Sequence, residues 1–117
     1  MKSTDAIASL GALAHEHRLA IYRLLIRRGP EGLAAGVIGG KVGLGPSSLT
    51  FHLQALHRAG LIRQAREGRQ LIYSADFAAM NDLVSYLTSE CCVSASNCGA
   101  ECQPPRVAAR RRSARAA

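Results

Sequence analysis

The stretch that most constrains this chain is Pro46 to Ser74, PSSLTFHLQALHRAGLIRQAREGRQLIYS. Pro46 suits the first turn of a helix, where its missing N–H costs nothing. Leu49, Leu53 and Leu56 recur at helical spacing, with Phe51 and Ala55 beside them. The other face carries Ser47, Ser48, Thr50, His52, Gln54, His57 and Arg58. These side chains are of moderate length and form hydrogen bonds, the type that reads base edges in a major groove. Gly60 then stops the helix, which is expected to run from Pro46 to Ala59.

Two short runs follow, Leu61–Arg66 and Arg69–Ser74, with Glu67-Gly68 between them. Runs joined by a glycine-containing turn predict a β-hairpin. Its tip is expected to carry Arg63, Arg66 and Arg69 against one acid, Glu67. Taken alone, such a hairpin is also compatible with ordinary solvated charge. The order helix, glycine, basic hairpin favours a wing beside DNA.

The 117 residues allow one small domain, with a limited core as a monomer. An additional apolar face is therefore a candidate for a second subunit. The formal net charge is +7. From Lys41 to Arg69 five basic residues face one acid, and residues 104–117 hold five arginines and no acid. The excess on the reading unit and the tail favours a polyanionic partner. Tryptophan is absent and aromatics are 4%, so there is little to stack on single-stranded bases. No run approaches a membrane span, and the start lacks a sustained apolar signal region. The expected compartment is the cytoplasm, where thiols stay reduced.

In chain order, Thr4 or Asp5 is expected to cap a first helix with Ile7, Leu10, Leu13 and Ala14 on one stripe. A second helix follows over Glu16–Arg28 and ends at Gly29-Pro30. His15 and His17 flank Glu16. Residues two apart do not face each other on a helix, so a capping or surface role is favoured over a metal role. A short helix is predicted over Leu33–Lys41, weakened by Gly36, Gly39 and Gly40. With Gly43 and Gly45 turning the chain into the Pro46 helix, this is helix-turn-helix order. Asp76 is expected to cap a last helix, about Phe77 to Glu90. Phe77, Met80, Val84 and Leu87 form a seam on it, widened by Leu83. A homodimer through the first and last helices would use Ile7 and Leu10 together with that seam. The fold class is mainly α with a small β-hairpin, a winged helix-turn-helix.

At these residues the chain resembles the ArsR/SmtB family of winged-helix metalloregulatory repressors. The resemblance covers roughly Ile7 to Leu87. It is strongest in SSLTFHLQALHRAGLIRQAREGRQLIYS, which looks like the family's recognition helix, its R-x-A-G-L-[IV] junction and its R-x-G-R-x-x-x-Y wing. LAHEHRLAIYRLL looks like the family's second helix, with Arg18 at its usual arginine. The resemblance implies a homodimer that occupies double-stranded operator DNA until a metal or metalloid binds. Two of the family's sites find no match. Positions 33–42 contain no cysteine, and no histidine follows His57.

The cysteines are Cys91, Cys92, Cys98 and Cys102. Some arsenite-responsive members look similar, with an adjacent pair and a third cysteine six residues on. Cys91, Cys92 and Cys98 match that spacing, and Cys102 is an addition. Soft thiolates select soft ions. Trivalent arsenic or antimony takes three sulfurs in a pyramid. Zinc usually takes four in a tetrahedron, with pairs spaced C-x2–4-C, which Cys98 and Cys102 fit and Cys91-Cys92 do not. Cadmium, lead or zinc, and thiol oxidation, remain alternatives, and the adjacent pair alone would hold a monosubstituted organoarsenical. The organisation expected is a DNA-binding and dimerisation domain over 1–90, a cysteine-rich inducer-binding segment over 91–103 and a basic disordered tail over 104–117. No constitutive cofactor is expected; As(III) or Sb(III) enters as inducer. An enzyme is disfavoured, because no C-x-x-C sits at a β-α junction and no phosphate loop occurs. A metal-storage module without a DNA role is the third class.

Overall fold

The computed structural model describes residues 1–91 and 93. In chain order the elements are α1 (Ser3–Leu13), α2 (Glu16–Arg28), β1 (Leu33–Ala34), α3 (Ala35–Val42), α4 (Pro46–Arg58), β2 (Ile62–Glu67), β3 (Gln70–Ala75) and α5 (Phe77–Thr88). The three strands form one antiparallel sheet in the order β1-β3-β2. Helices α3 and α4 form the helix-turn-helix, and β2–β3 form the wing. The chain divides after Leu83 into a unit covering Met1–Leu83 and a second unit from Val84 onward.

The first unit closes around α2, α3 and α4. Ile21, Leu25, Ile38, Leu53, Leu56 and Leu61 are its fully buried large side chains. Ala12, Tyr22, Leu49, Ile62, Tyr73 and Ala75 complete the cluster. The hairpin is thus anchored at its base, through Ile62, Tyr73 and Ala75, and leaves Arg63–Arg69 exposed. Tyr22 is buried with its hydroxyl unpartnered among the described residues. Burial, and secondarily the charge of Asp76, push that phenol up to about 12, so it stays protonated.

Local chemistry sets the helix ends. His15 caps α2 by accepting from the His17 backbone N–H at 3.1 Å, the capping role expected of it. Gly60 ends α4 at φ +81°, with Leu61 N–H donating to Leu56 C=O and Gly60 N–H to His57 C=O. That pairing is a Schellman closure, which satisfies the orphan carbonyls of the last turn. Asp76 caps α5, accepting from Ala79 N–H at 3.1 Å.

Several expectations need correcting. Helix α1 begins at Ser3, and Asp5 serves from its third position, accepting from the Lys2 backbone N–H at 3.4 Å. Its buried face is Ala6, Ser9 and Ala12, so the expected stripe divides: Leu13 packs partly on the core, while Ile7 and Leu10 stand exposed. Leu33 and Ala34 are not helical. They pair with Tyr73 and Ile72 as a third strand. The hairpin turn is Gly68-Arg69, one residue later than expected, because Glu67 pairs with Gln70. Gly68 has φ +62° at the first central position, as a type II′ turn requires. On α5, Leu83 is the buried residue, while Phe77 and Met80 pack partly on their own core. The expected seam is therefore only partly available to a partner on those two residues. Helix α5 ends at Thr88, two residues short of Glu90.

Candidate nucleic-acid interface

Helix α4 sorts its side chains by the helical repeat. Leu49, His52, Leu53 and Leu56 face the core. Ser47, Ser48, Thr50, Phe51, Gln54, His57 and Arg58 are exposed. Six of the seven residues expected on the reading face are there. His52 is the correction: it is 6% exposed and turned inward. Phe51, expected beside the apolar face, is 57% exposed and lies with the polar residues.

His52 is satisfied by an element distant in sequence. Arg18 on α2 donates from Nε to His52 Nδ1 at 3.2 Å. The imidazole faces His15 and His17, with ring centroids 4.6 and 5.7 Å away. Burial first, then the charges of His15, Arg18 and His17, hold His52 below the ordinary histidine value of 6.5. The neutral form is therefore favoured, and its Nδ1 is free to accept from Arg18.

Three histidines at this spacing invite comparison with a metal centre, but the tautomers argue against it. His15 and His52 each accept a hydrogen bond at Nδ1, so each carries its proton on Nε2 when neutral. Neither then offers a lone pair to a cation without breaking a bond the fold uses. Among the described residues no group of three His, Cys, Asp or Glu is arranged to hold a metal ion.

The wing lies alongside α4. A groove of about 350 Å3 between them is lined by Leu53, Gln54, His57, Arg58, Gln64 and Tyr73. Arg66 and Arg69 flank or occupy the hairpin turn and are exposed. Arg63 is at the base, not the tip, because it pairs across with Ser74. Its Nε lies 3.4 Å from Asp76 Oδ2, with the arginine side chain 70% exposed. Such a surface pair adds little stability, but it competes with any phosphate for that guanidinium. Gln54, His57, Arg58 and Gln64 thus share one groove with no acid in its lining, while Arg66 and Arg69 stand exposed at the hairpin turn on either side of Glu67.

Cys91 is exposed, three residues after α5 ends, and its backbone N–H donates to Thr88 C=O at 3.1 Å. Cys92, Cys98, Cys102 and the arginine-rich stretch 104–117 lie outside the described residues. Among the expected dimer contacts, Ile7 and Leu10 are exposed on α1, and Leu87 is exposed on α5. Val84 is half-buried. No helix among the described residues is long and apolar enough to cross a membrane.

Two residues that the structure brings to this face, Phe51 and Arg18, were not in the expected interface. The signal for Phe51 was present in the repeat, since it follows Ser47 by four residues and precedes Gln54 by three.

A family model described as a helix-turn-helix domain matches residues 13–65. The nodulation protein NolR of Rhizobium meliloti is 31% identical over 83 residues, covering 71% of this chain and 66% of that protein, just under two thirds. The solved structure of HlyU from Vibrio cholerae is similar at 31% identity and a TM-score of 0.59, covering 73% of this chain and 92% of that one. A third likeness is to the homodimeric winged helix-turn-helix DNA-binding domain of Mb0332 from Mycobacterium bovis. It is 26% identical with a TM-score of 0.59, covering 82% of this chain and 89% of that domain.

Proposed function

This chain belongs to the ArsR/SmtB family of winged-helix transcriptional regulators, and we propose that it is a metalloid-responsive repressor. It binds double-stranded operator DNA as a homodimer and leaves when trivalent arsenic or antimony binds Cys91, Cys92 and Cys98. The observation that carries the DNA half is the exposed polar stripe of α4 bordering the wing at Gln64, with the wing arginines exposed. Ser47, Ser48, Thr50, Gln54, His57 and Arg58 read base edges. Arg66 and Arg69 hold backbone phosphates, which position the protein without specifying sequence. A homodimer brings two reading helices to successive turns of the duplex, ~34 Å apart.

The inducer half rests on donor chemistry. Three soft sulfurs from adjacent cysteines and one six residues on match the pyramidal demand of a trivalent metalloid. Arsenous acid takes three thiols with release of water and no net proton. Cadmium, lead or zinc must displace protons, so their binding is the more pH-dependent. Inducer binding lowers DNA affinity, and DNA lowers inducer affinity by the same factor. Cytoplasmic conditions keep these thiols reduced and available.

The test is release of a labelled DNA fragment from upstream of the protein's own coding region. Arsenite, cadmium and zinc are added to separate samples of wild-type protein and of Cys98→Ser. Release by arsenite alone, lost in Cys98→Ser, is the expected result. Release undiminished in Cys98→Ser removes the three-thiol site. Binding without release by arsenite moves the inducer to another soft metal, an organoarsenical or oxidation. No binding at low salt sinks the repressor.

A further inference from the structure

Phe51 is the one residue of the α4 reading stripe that cannot form a hydrogen bond with its side chain. It lies one turn from Ser47 and one turn from Gln54, and more than half of it is open. A phenyl ring so placed has a hydrophobic cost in water, since exposing it forgoes the gain of burial. Other large apolar residues of α4, Leu49, Leu53 and Leu56, are all buried.

The ring is also held. The Arg18 guanidinium carbon is 5.5 Å from its centroid, within range of a cation–π contact. The His52 ring meets it edge-on, with centroids 5.4 Å apart and planes at 66°. Arg18 is itself tied to His52 through its Nε. Two side chains, Arg18 from α2 and His52 from α4, therefore fix the direction in which Phe51 is presented. Pre-organised apolar surface of this kind loses little entropy when it is covered.

Its surroundings decide what covers it. The Arg18 guanidinium lies against the ring, and exposed Arg58 follows it about two turns on along the same face of α4, so the ring is bordered by cations, which opposes burial against a second copy of the same surface. It favours a polyanion. In the major groove of a duplex the one apolar group on unmodified base edges is the C5-methyl of thymine. We infer that Phe51 is a specificity-determining residue whose ring packs against a thymine methyl in the operator. This rests on the DNA-reading function proposed above.

The experiment uses the full-length protein and a duplex selected from a randomised pool. Each thymidine is replaced singly by deoxyuridine, which removes only the methyl. Affinities are measured for wild type, Phe51→Ala and Phe51→Leu. One thymidine per half-site is expected at which deoxyuridine weakens wild-type binding by about fourfold, the value of one buried methyl at ~0.8 kcal/mol. Phe51→Ala is expected to be insensitive at that position, and Phe51→Leu to retain part of the effect. The same deoxyuridine profile in wild type and Phe51→Ala overturns the inference while leaving DNA reading intact. A pool from which wild type enriches no duplex overturns the DNA-reading function itself, and this inference with it.

Discussion

His52 belongs to the reading helix by sequence and to the core by geometry. Its Nδ1 can accept from Arg18 only while the imidazole is neutral. Burial and the neighbouring His15, Arg18 and His17 depress its affinity for a proton. The unfolded chain therefore binds more protons than the folded one in the window below 6.5. The contribution of His52 to stability is full above that value and is lost as pH falls through the depressed folded value. Denaturant midpoints should accordingly drop between about pH 7.5 and about pH 5.5. In His52→Gln, whose side-chain oxygen can still accept from Arg18, the drop should be smaller. Equal drops in the two proteins would show that another group titrates.

The exchange of places between His52 and Phe51 also shows what sequence can disclose about the site. Leu49, His52, Leu53 and Leu56 stand at i, i+3, i+4 and i+7, so the repeat assigns His52 inward. Polarity assigns it outward. The repeat prevails because Arg18, 34 residues earlier, supplies the hydrogen bond that makes an inward histidine affordable. Nothing near position 52 in the sequence announces that partner. The rest of the polar stripe was legible because propensity, periodicity and polarity agree along it.

At the scale of elements, the helices with strong end signals were read with their ends in place or one residue off. His15 and Gly29 bracket α2, and Pro46 and Gly60 bracket α4. Strand β1 was not legible, because two residues carry no period and their partners Tyr73 and Ile72 are some forty residues away. Gly32 is what lets β1 approach β3 so closely. It has φ +73°, and a Cβ there would run into the Tyr73 carbonyl oxygen of the partner strand. Gly32→Ala should cost ~2–4 kcal/mol, combining backbone strain with displacement of the strand. Gly40 in α3 is the opposite case, since a Cβ there meets nothing within 4 Å. Gly40→Ala should stabilise by about 0.5–1 kcal/mol through helix propensity alone. Urea unfolding of the two variants beside wild type checks both signs. A neutral Gly32→Ala would mean that β1 is not held against β3 in solution.

For the whole molecule the question is how two reading units are coupled. Helix α1 spends its small residues, Ala6, Ser9 and Ala12, on its own core and leaves Ile7 66% exposed with Leu10 beside it on the open side. A 117-residue chain has little apolar area to leave unused, and a second copy is the covering that the proposed homodimer would supply. Ile7→Glu places a charge in that contact without touching the first unit's buried cluster, to which Ile7 does not belong. Sedimentation should therefore show a shift from dimer to monomer while the far-UV spectrum is kept. Operator affinity should fall by about 10²–10⁴, the gain that linking two half-site contacts provides. Binding to a single half-site should be unchanged, because α4 and the wing of each copy are intact. An Ile7→Glu protein that stays dimeric would place the subunit contact elsewhere, with α1 left as a solvated helix. A monomer that nonetheless holds the full operator as tightly as wild type would separate dimerisation from operator binding.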